Sequence, residues 1–107
     1  MTDRTLTDIT VEDAHTLLDK DAILVDVREP NEQAAERIPG AIALPLSEIA
    51  AGAATDLPKA TTVFLCASGA RTKRNAAALA SLVDGEAYCM TGGILAWKGA
   101  GFPTERG

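Results

Sequence analysis

Cys66 is followed at once by four small residues, a glycine among them, and then by Arg71: Cys66-Ala67-Ser68-Gly69-Ala70-Arg71-Thr72. A thiol in such company could be a nucleophile. Ala67, Ser68, Gly69 and Ala70 are too small to fill space, so the chain can curl and turn its backbone N–H groups inward as an anion cradle. A helix expected from Thr72 or Lys73 to Leu82 would add its own free N–H groups at the same place. Its N-terminus and the charge of Arg71 would favour the thiolate, which is the reactive form of cysteine. An inert cysteine at the end of an apolar strand is common, but it needs no glycine, arginine or helix start beside it.

The positioning elements are legible on both sides. Thr61 to Leu65 is β-branched and apolar and reads as a buried strand. Ala76, Leu79, Ala80 and Val83 recur at helical spacing beyond the loop. Upstream, Leu6 to Ile9 reads as a short edge strand, and Thr10 caps a helix whose apolar face is Ala14, Leu17 and Leu18. Ala22 to Val27 is a buried parallel strand interrupted only by Asp26. Pro30 opens a helix to Glu36, and Ala41 to Leu44 is the next short strand. Ser47 can cap a weak helix from Glu48 to about Ala53. Asp56 to Lys59 and Asp84-Gly85 are turns, and Glu86 to Met90 is the last strand.

Strands alternating with helices specify an α/β layer architecture with right-handed parallel crossovers. Ligands of such sheets bind beyond the carboxyl ends of the strands, which is where Cys66 falls. The 107 residues suffice for one domain. Hydrophobic content of 47% and charged content of 23% are ordinary for a soluble globular chain. No apolar run approaches the roughly 20 residues of a membrane helix. Fifteen acidic against ten basic residues give a charge of −5, which argues against non-specific nucleic-acid binding. Two cysteines and no secretory signal suggest free thiols in a reducing, cytoplasmic setting.

Three stretches together resemble the single-domain rhodanese-like sulfurtransferases. The Cys66 loop resembles their C-x-x-G-x-R-[ST]. Asp26-Val27-Arg28-Glu29 with Arg37-Ile38-Pro39-Gly40-Ala41 resembles their D-V-R-E and H-I-P-G-A segments, and Gly92-Gly93-Ile94-Leu95-Ala96-Trp97 with Ala100-Gly101-Phe102-Pro103 resembles their closing motifs. The match runs from about residue 9 to 103 of a single domain spanning 1–107. It implies a rhodanese-like three-layer sandwich: a central, mostly parallel sheet of four to five strands with helices on both faces. It implies a sulfurtransferase in which Cys66 carries sulfane sulfur as a persulfide, with Ala67, Ser68, Gly69, Ala70, Arg71 and Thr72 holding the substrate. The donor would be thiosulfate or a persulfide, on a small molecule or a protein, and the acceptor cyanide, a thiol or an acceptor protein. No metal, organic cofactor, nucleic acid or membrane is implied. The chain departs from the usual family pattern at Gln33, Glu36 and Arg37.

Asp26 either satisfies N–H groups of its own loop or anchors the Cys66 loop, through Arg71 or loop N–H groups; the resemblance supports anchoring. Arg28 either faces the same mouth or is a solvated charge. Cys89 is either a small core residue or a resolving thiol. His15 and Lys98 are expected on the surface, and Trp97 in the core. Two other functions share the same parts. A cysteine-dependent phosphatase or arsenate reductase has C-x5-R, whereas four residues separate Cys66 from Arg71 here. A non-catalytic interaction module can use the same fold.

Overall fold

The computed structural model describes residues 5–51, 57, 59–83 and 85–106. Five strands form one sheet: β1 (Thr7–Ile9), β2 (Ile23–Asp26), β3 (Ile42–Ala43), β4 (Thr62–Leu65) and β5 (Ala87–Met90). Their spatial order is β1-β5-β4-β2-β3, and every neighbouring pair is parallel. Between them run the helices α1 (Val11–Leu18), α2 (Pro30–Ala35), α3 (Leu46–Ala50), α4 (Ala70–Arg74), α5 (Ala76–Ala80) and α6 (Gly93–Gly99). None of these is long and apolar enough to cross a membrane.

Alternation along the strands divides the core into two layers. Val25, Val27 and Phe64 pack with Leu79, Ala80 and Val83, and with Leu46 and Ile49 of α3. Leu24, Val63 and Leu65 face the opposite way, against Val11 and Ala14 of α1 and Ile94 and Trp97 of α6. The expected three-layer sandwich follows, with helices on both faces of the sheet. β4 lies at its centre and all four of its residues are buried. Burying a side chain the size of Val63, Phe64 or Leu65 contributes roughly 1.5–3 kcal/mol. The site loop is therefore hung from the most firmly held strand.

Several local expectations are corrected. The helix after the loop is not continuous. It starts two or three residues early, at Ala70, and breaks at Asn75, whose φ of −112° and ψ of 20° leave the helical region. The Asn75 side-chain amide donates to the Arg71 carbonyl at 2.8 Å, the kind of local bond that competes with the helical ladder. Ser47 does not cap α3; Pro45 holds that position and Ser47 lies inside the helix, its hydroxyl donating to Glu29. α3 ends at Ala50, and its expected extension beyond Ala51 lies outside the described residues, as do Asp56, Pro58 and Asp84.

His15 is half-buried rather than on the surface. Its ring stacks on Phe102 at 4.3 Å between centroids and tilts against Trp97 at 5.7 Å. Trp97 is buried as expected and donates its indole N–H to the Pro103 carbonyl at 2.9 Å. Lys98 is half-exposed but paired with Glu36 at 2.8 Å. The residues that depart from the family pattern all bind the frame. Glu36 also accepts from the Thr104 hydroxyl at 2.6 Å, and these two contacts hold its carboxyl below the usual range. Arg37 and Glu105 exchange two backbone hydrogen bonds of 2.8 Å and form an ion pair at 3.0 Å. Gln33 donates to the carbonyls of Asp26 and Arg28, at 3.1 and 2.9 Å.

Candidate active site

Cys66 stands one residue beyond β4, and its sulfur is wholly covered. Gly69 takes φ +95°, a left-handed conformation that turns the chain back on itself. The turn brings the Gly69 N–H to 3.0 Å from Cys66 Sγ. A Cβ on Gly69 would lie 3.2 Å from the Gly92 nitrogen, so the position is held by space as well as by φ.

The sulfur is biased toward the thiolate. Burial is the largest single influence and opposes the charge. Against it act the Thr72 hydroxyl and the backbone N–H groups of Thr72, Gly69 and Ser68. Together they outweigh burial and hold the Cys66 thiol below its ordinary value. Of the N–H groups expected to cradle the sulfur, that of Gly69 lies within hydrogen-bond distance of it.

Arg71 is occupied elsewhere. Its two terminal nitrogens bond the two oxygens of the Glu32 carboxylate at 2.7 Å each, a bidentate pair about one-third exposed. Glu32 also accepts the Glu29 N–H at 3.1 Å, inside the capping box that opens α2. The Arg71 pair, more than any other contact, lowers the Glu32 carboxyl from its usual 4.5 to about 2. The pair ties α2 to the residue between Ala70 and Thr72. Lys73, next along, pairs with Asp8 at 3.1 Å.

Asp26 does not meet Arg71. It lies 2% exposed at the end of β2, and its oxygens accept from the backbone N–H, Nε and a terminal nitrogen of Arg28. Arg28 is itself 5% exposed, which excludes the solvated reading. It donates onward to the Glu36 carbonyl at 2.7 Å. The two residues brace the β2–α2 loop that carries Glu32, so they stand one step behind the site.

The second grip on the loop comes from α6. Its first free N–H groups, from Ile94 and Leu95, donate to the carbonyls of Cys66 and Ala67 at 2.9 and 3.2 Å. Such close approach needs a bare backbone. Gly93, at φ +57°, has no room for a side chain: a Cβ there would run into the Cys66 and Ala67 carbonyl oxygens. In the sequence Glu32 is only one residue of a short helix, and Gly92 and Gly93 are only parts of the closing motif. Their service to the loop depends on contacts across the fold.

Cys89 lies on β5 with Phe64 as its strand partner, and is 1% exposed. It lines a hollow of about 250 Å3 between Ser68–Ala70, Lys73 and Thr91–Gly92. Burial pushes its thiol up to about 11. The two cysteines therefore sit near the same loop with opposite tendencies.

The Rhodanese-like domain family model matches residues 10–100. The chain belongs to the rhodanese-like domain family. A Synechocystis protein described as uncharacterized is 40% identical over 110 residues, covering 99% of this chain and 61% of that protein. The chain thus spans about three-fifths of the length of that relative. A protein of Allochromatium vinosum described as a sulfurtransferase is 38% identical over 85 residues, 78% of each chain. Among solved structures, a rhodanese-related protein of Thermoplasma volcanium superposes with a TM-score of 0.81 at 24% identity, covering 94% of this chain and 99% of that one. A thiosulfate sulfurtransferase of Pseudomonas aeruginosa gives 0.77 at 22%, covering 99% of this chain and 20% of that one. Those two likenesses are of fold. Within this rhodanese-like domain, the Cys66 loop occupies the carboxyl end of the central strand.

Proposed function

We propose that this rhodanese-like domain is a sulfurtransferase with Cys66 as its nucleophile. The observation that carries the reading is the inward Gly69 N–H at 3.0 Å from the sulfur, in a loop whose donors favour the thiolate. Family membership and the Allochromatium relative's description support it.

The reaction has two halves. The Cys66 thiolate attacks the outer sulfur of a donor such as thiosulfate; a new S–S bond forms, and sulfite leaves with the electron pair of the old one. Cys66 then carries a persulfide with its negative charge on the outer sulfur. An acceptor such as cyanide or a thiolate attacks that outer sulfur, and Cys66 departs again as a thiolate. The N–H cradle meets charge at every stage with dipoles already in place. Because Sγ is covered at rest, the 67–70 loop must yield to admit a donor.

Donor preference follows from charge. Ala67, Ser68 and Ala70 are neutral, Arg71 is held by Glu32 and Lys73 by Asp8. A dianion such as thiosulfate would meet backbone N–H groups without an unpaired cation from this loop. A persulfide donor, with less charge to desolvate, suits the site better. The test is turnover to cyanide, read as thiocyanate, with thiosulfate and with a low-molecular-weight persulfide. The expected result is kcat/KM higher for the persulfide and no turnover in Cys66→Ala. Turnover retained in Cys66→Ala would remove Cys66 from the mechanism.

A further inference from the structure

Asp8 is the middle residue of β1 and lies in register with Cys89 of β5. Neighbours in register point to the same face of a sheet, and faces alternate along a strand. Leu6, two residues before Asp8, packs in the layer that holds Cys66, Leu79 and Cys89, whereas Ile9 packs in the opposite layer. The Asp8 carboxylate therefore rises on the α4 side of the sheet, where it meets Lys73 Nζ at 3.1 Å. Among the described residues lining the hollow of about 250 Å3 beside Ser68, Gly69 and Ala70, Lys73 alone is cationic. Both charges reach into that hollow: the Cys89 thiol on its wall is raised first by burial and then by Asp8, and Lys73 opposes them. The pair does little for stability, because the Lys73 and Asp8 side chains are 64% and 50% exposed and ion pairs so open to water contribute little to folding. Its field is what matters. Without Asp8, Lys73 would leave a positive charge beside the loop that covers the sulfur; with Asp8 the two cancel. Asp8 also stands before residues 10–100, the part matched by the family model, so the cancelling charge comes from outside that pattern.

We propose that Asp8 is a specificity-determining residue: by cancelling the charge of Lys73 beside the Cys66 loop, it selects against sulfur donors that carry two negative charges. This deepens the sulfur-transfer reading above and rests on it. A dianion gains twice as much from an unpaired cation as a monoanion does. At a separation on the order of 8 Å in water, Coulomb's law puts the gain at roughly fivefold for a dianion and about twofold for a monoanion. Asp8 removes that gain, and so takes more from thiosulfate than from a persulfide of single charge. Arg71 is committed to Glu32, which leaves Lys73 as the charge that Asp8 controls. Asp8 acts through the field at the hollow, which steers anions before any bond is made.

The test compares Asp8→Asn, Asp8→Glu, Lys73→Gln and the double variant Asp8→Asn with Lys73→Gln against the parent protein. One readout is kcat/KM for thiosulfate and for a singly charged alkyl persulfide, with cyanide as acceptor. The other needs no sulfur transfer. It is the rate of Cys66 alkylation by iodoacetate, an anion, divided by the rate with neutral iodoacetamide, read by mass on the Cys66 peptide; the thiolate fraction cancels from this ratio. At an ionic strength of about 10 mM, where screening is weak, Asp8→Asn should raise kcat/KM for thiosulfate roughly fivefold. The persulfide value and the iodoacetate ratio should each rise about twofold. Lys73→Gln should lower thiosulfate use by a similar factor, the double variant should lie near the parent, and Asp8→Glu should match it. The gains should fade at about 0.3 M salt. A folded Asp8→Asn whose donor preference and alkylation ratio are unmoved at low salt overturns the proposal. So does a gain that survives high salt or is equal for both donors, since packing rather than charge would then be its cause. A parent protein that takes sulfur from neither donor refutes the sulfur-transfer reading and the specificity role with it; the alkylation ratio then separately reports whether Asp8 sets the field at Cys66.

Discussion

Arg71 and Glu32 form a bidentate ion pair with both nitrogen–oxygen distances at 2.7 Å, bridging 39 residues of sequence. The arginine is thereby a strut for the Cys66 loop. Glu32→Gln removes the charged acceptor and leaves the Arg71 guanidinium to solvent. The pair is about one-third exposed, so its loss should cost only about 1 kcal/mol in urea unfolding. Sulfur transfer should fall more steeply, by roughly three- to tenfold, because small displacements of a reacting group are costly. Unchanged turnover in Glu32→Gln would contradict the strut.

The same pair sets a pH dependence. Glu32 titrates at about 2 in the folded chain against 4.5 ordinarily. A depressed folded value means the contribution is complete above about 4.5 and is lost as pH falls toward 2. The stability difference between the parent protein and Glu32→Gln should therefore shrink across that window. A difference constant from pH 5 to pH 2.5 would show that the carboxylate charge is not what holds Arg71.

Gly93→Ala should disable the site and destabilise the fold together. The new methyl would meet the Cys66 and Ala67 carbonyls at a φ of +57°, for a cost of at least about 2 kcal/mol. Gly40→Ala is the control. Its φ is +83° but open space surrounds the added methyl, so it should lose about 1–2 kcal/mol and keep its activity. Thermal unfolding of the two variants checks the contrast, and equal losses would argue against the clash.

How much of this was legible follows from where each signal lies in the chain. The Cys66 loop announces itself because small residues, glycine and arginine are local to the thiol. The strands are legible for the same reason: β2 and β4 are short apolar runs. Asp26 was read as a candidate partner of Arg71, but Arg28, two residues away, reaches it first. Glu32 carries no local signal because its partner comes 39 residues later. The break at Asn75 was hidden by apolar spacing that continues through it, while the side-chain bond to Arg71 decides the geometry. The packing of α6 onto the loop depends on tertiary placement, which no local pattern of Gly92-Gly93 encodes.

Asp26 and Arg28 are buried together, with side chains 3% and 6% exposed. Arg28→Met strands the Asp26 carboxylate and should cost about 3–5 kcal/mol in urea unfolding. The effect on sulfur transfer should be read only under conditions where the variant is folded. A loss below about 1 kcal/mol would mean that the pair does not brace the β2–α2 loop.

Cys89 borders the same hollow as the loop, yet burial holds its thiol near 11. Its thiolate is scarce at neutral pH, so it should not attack a Cys66 persulfide. Cys89→Ala should keep turnover within twofold, and no Cys66–Cys89 disulfide should appear by mass after sulfur loading. A disulfide formed on the timescale of turnover would restore the resolving role.

The most direct test of the account is the intact mass of the reduced protein after brief exposure to a persulfide donor, beside Cys66→Ala. The account predicts a gain of one sulfur atom, absent in the variant and removed by cyanide. No gain from either a persulfide or thiosulfate, in a folded protein whose Cys66 is reduced, would contradict it and favour a domain that binds partners without turnover.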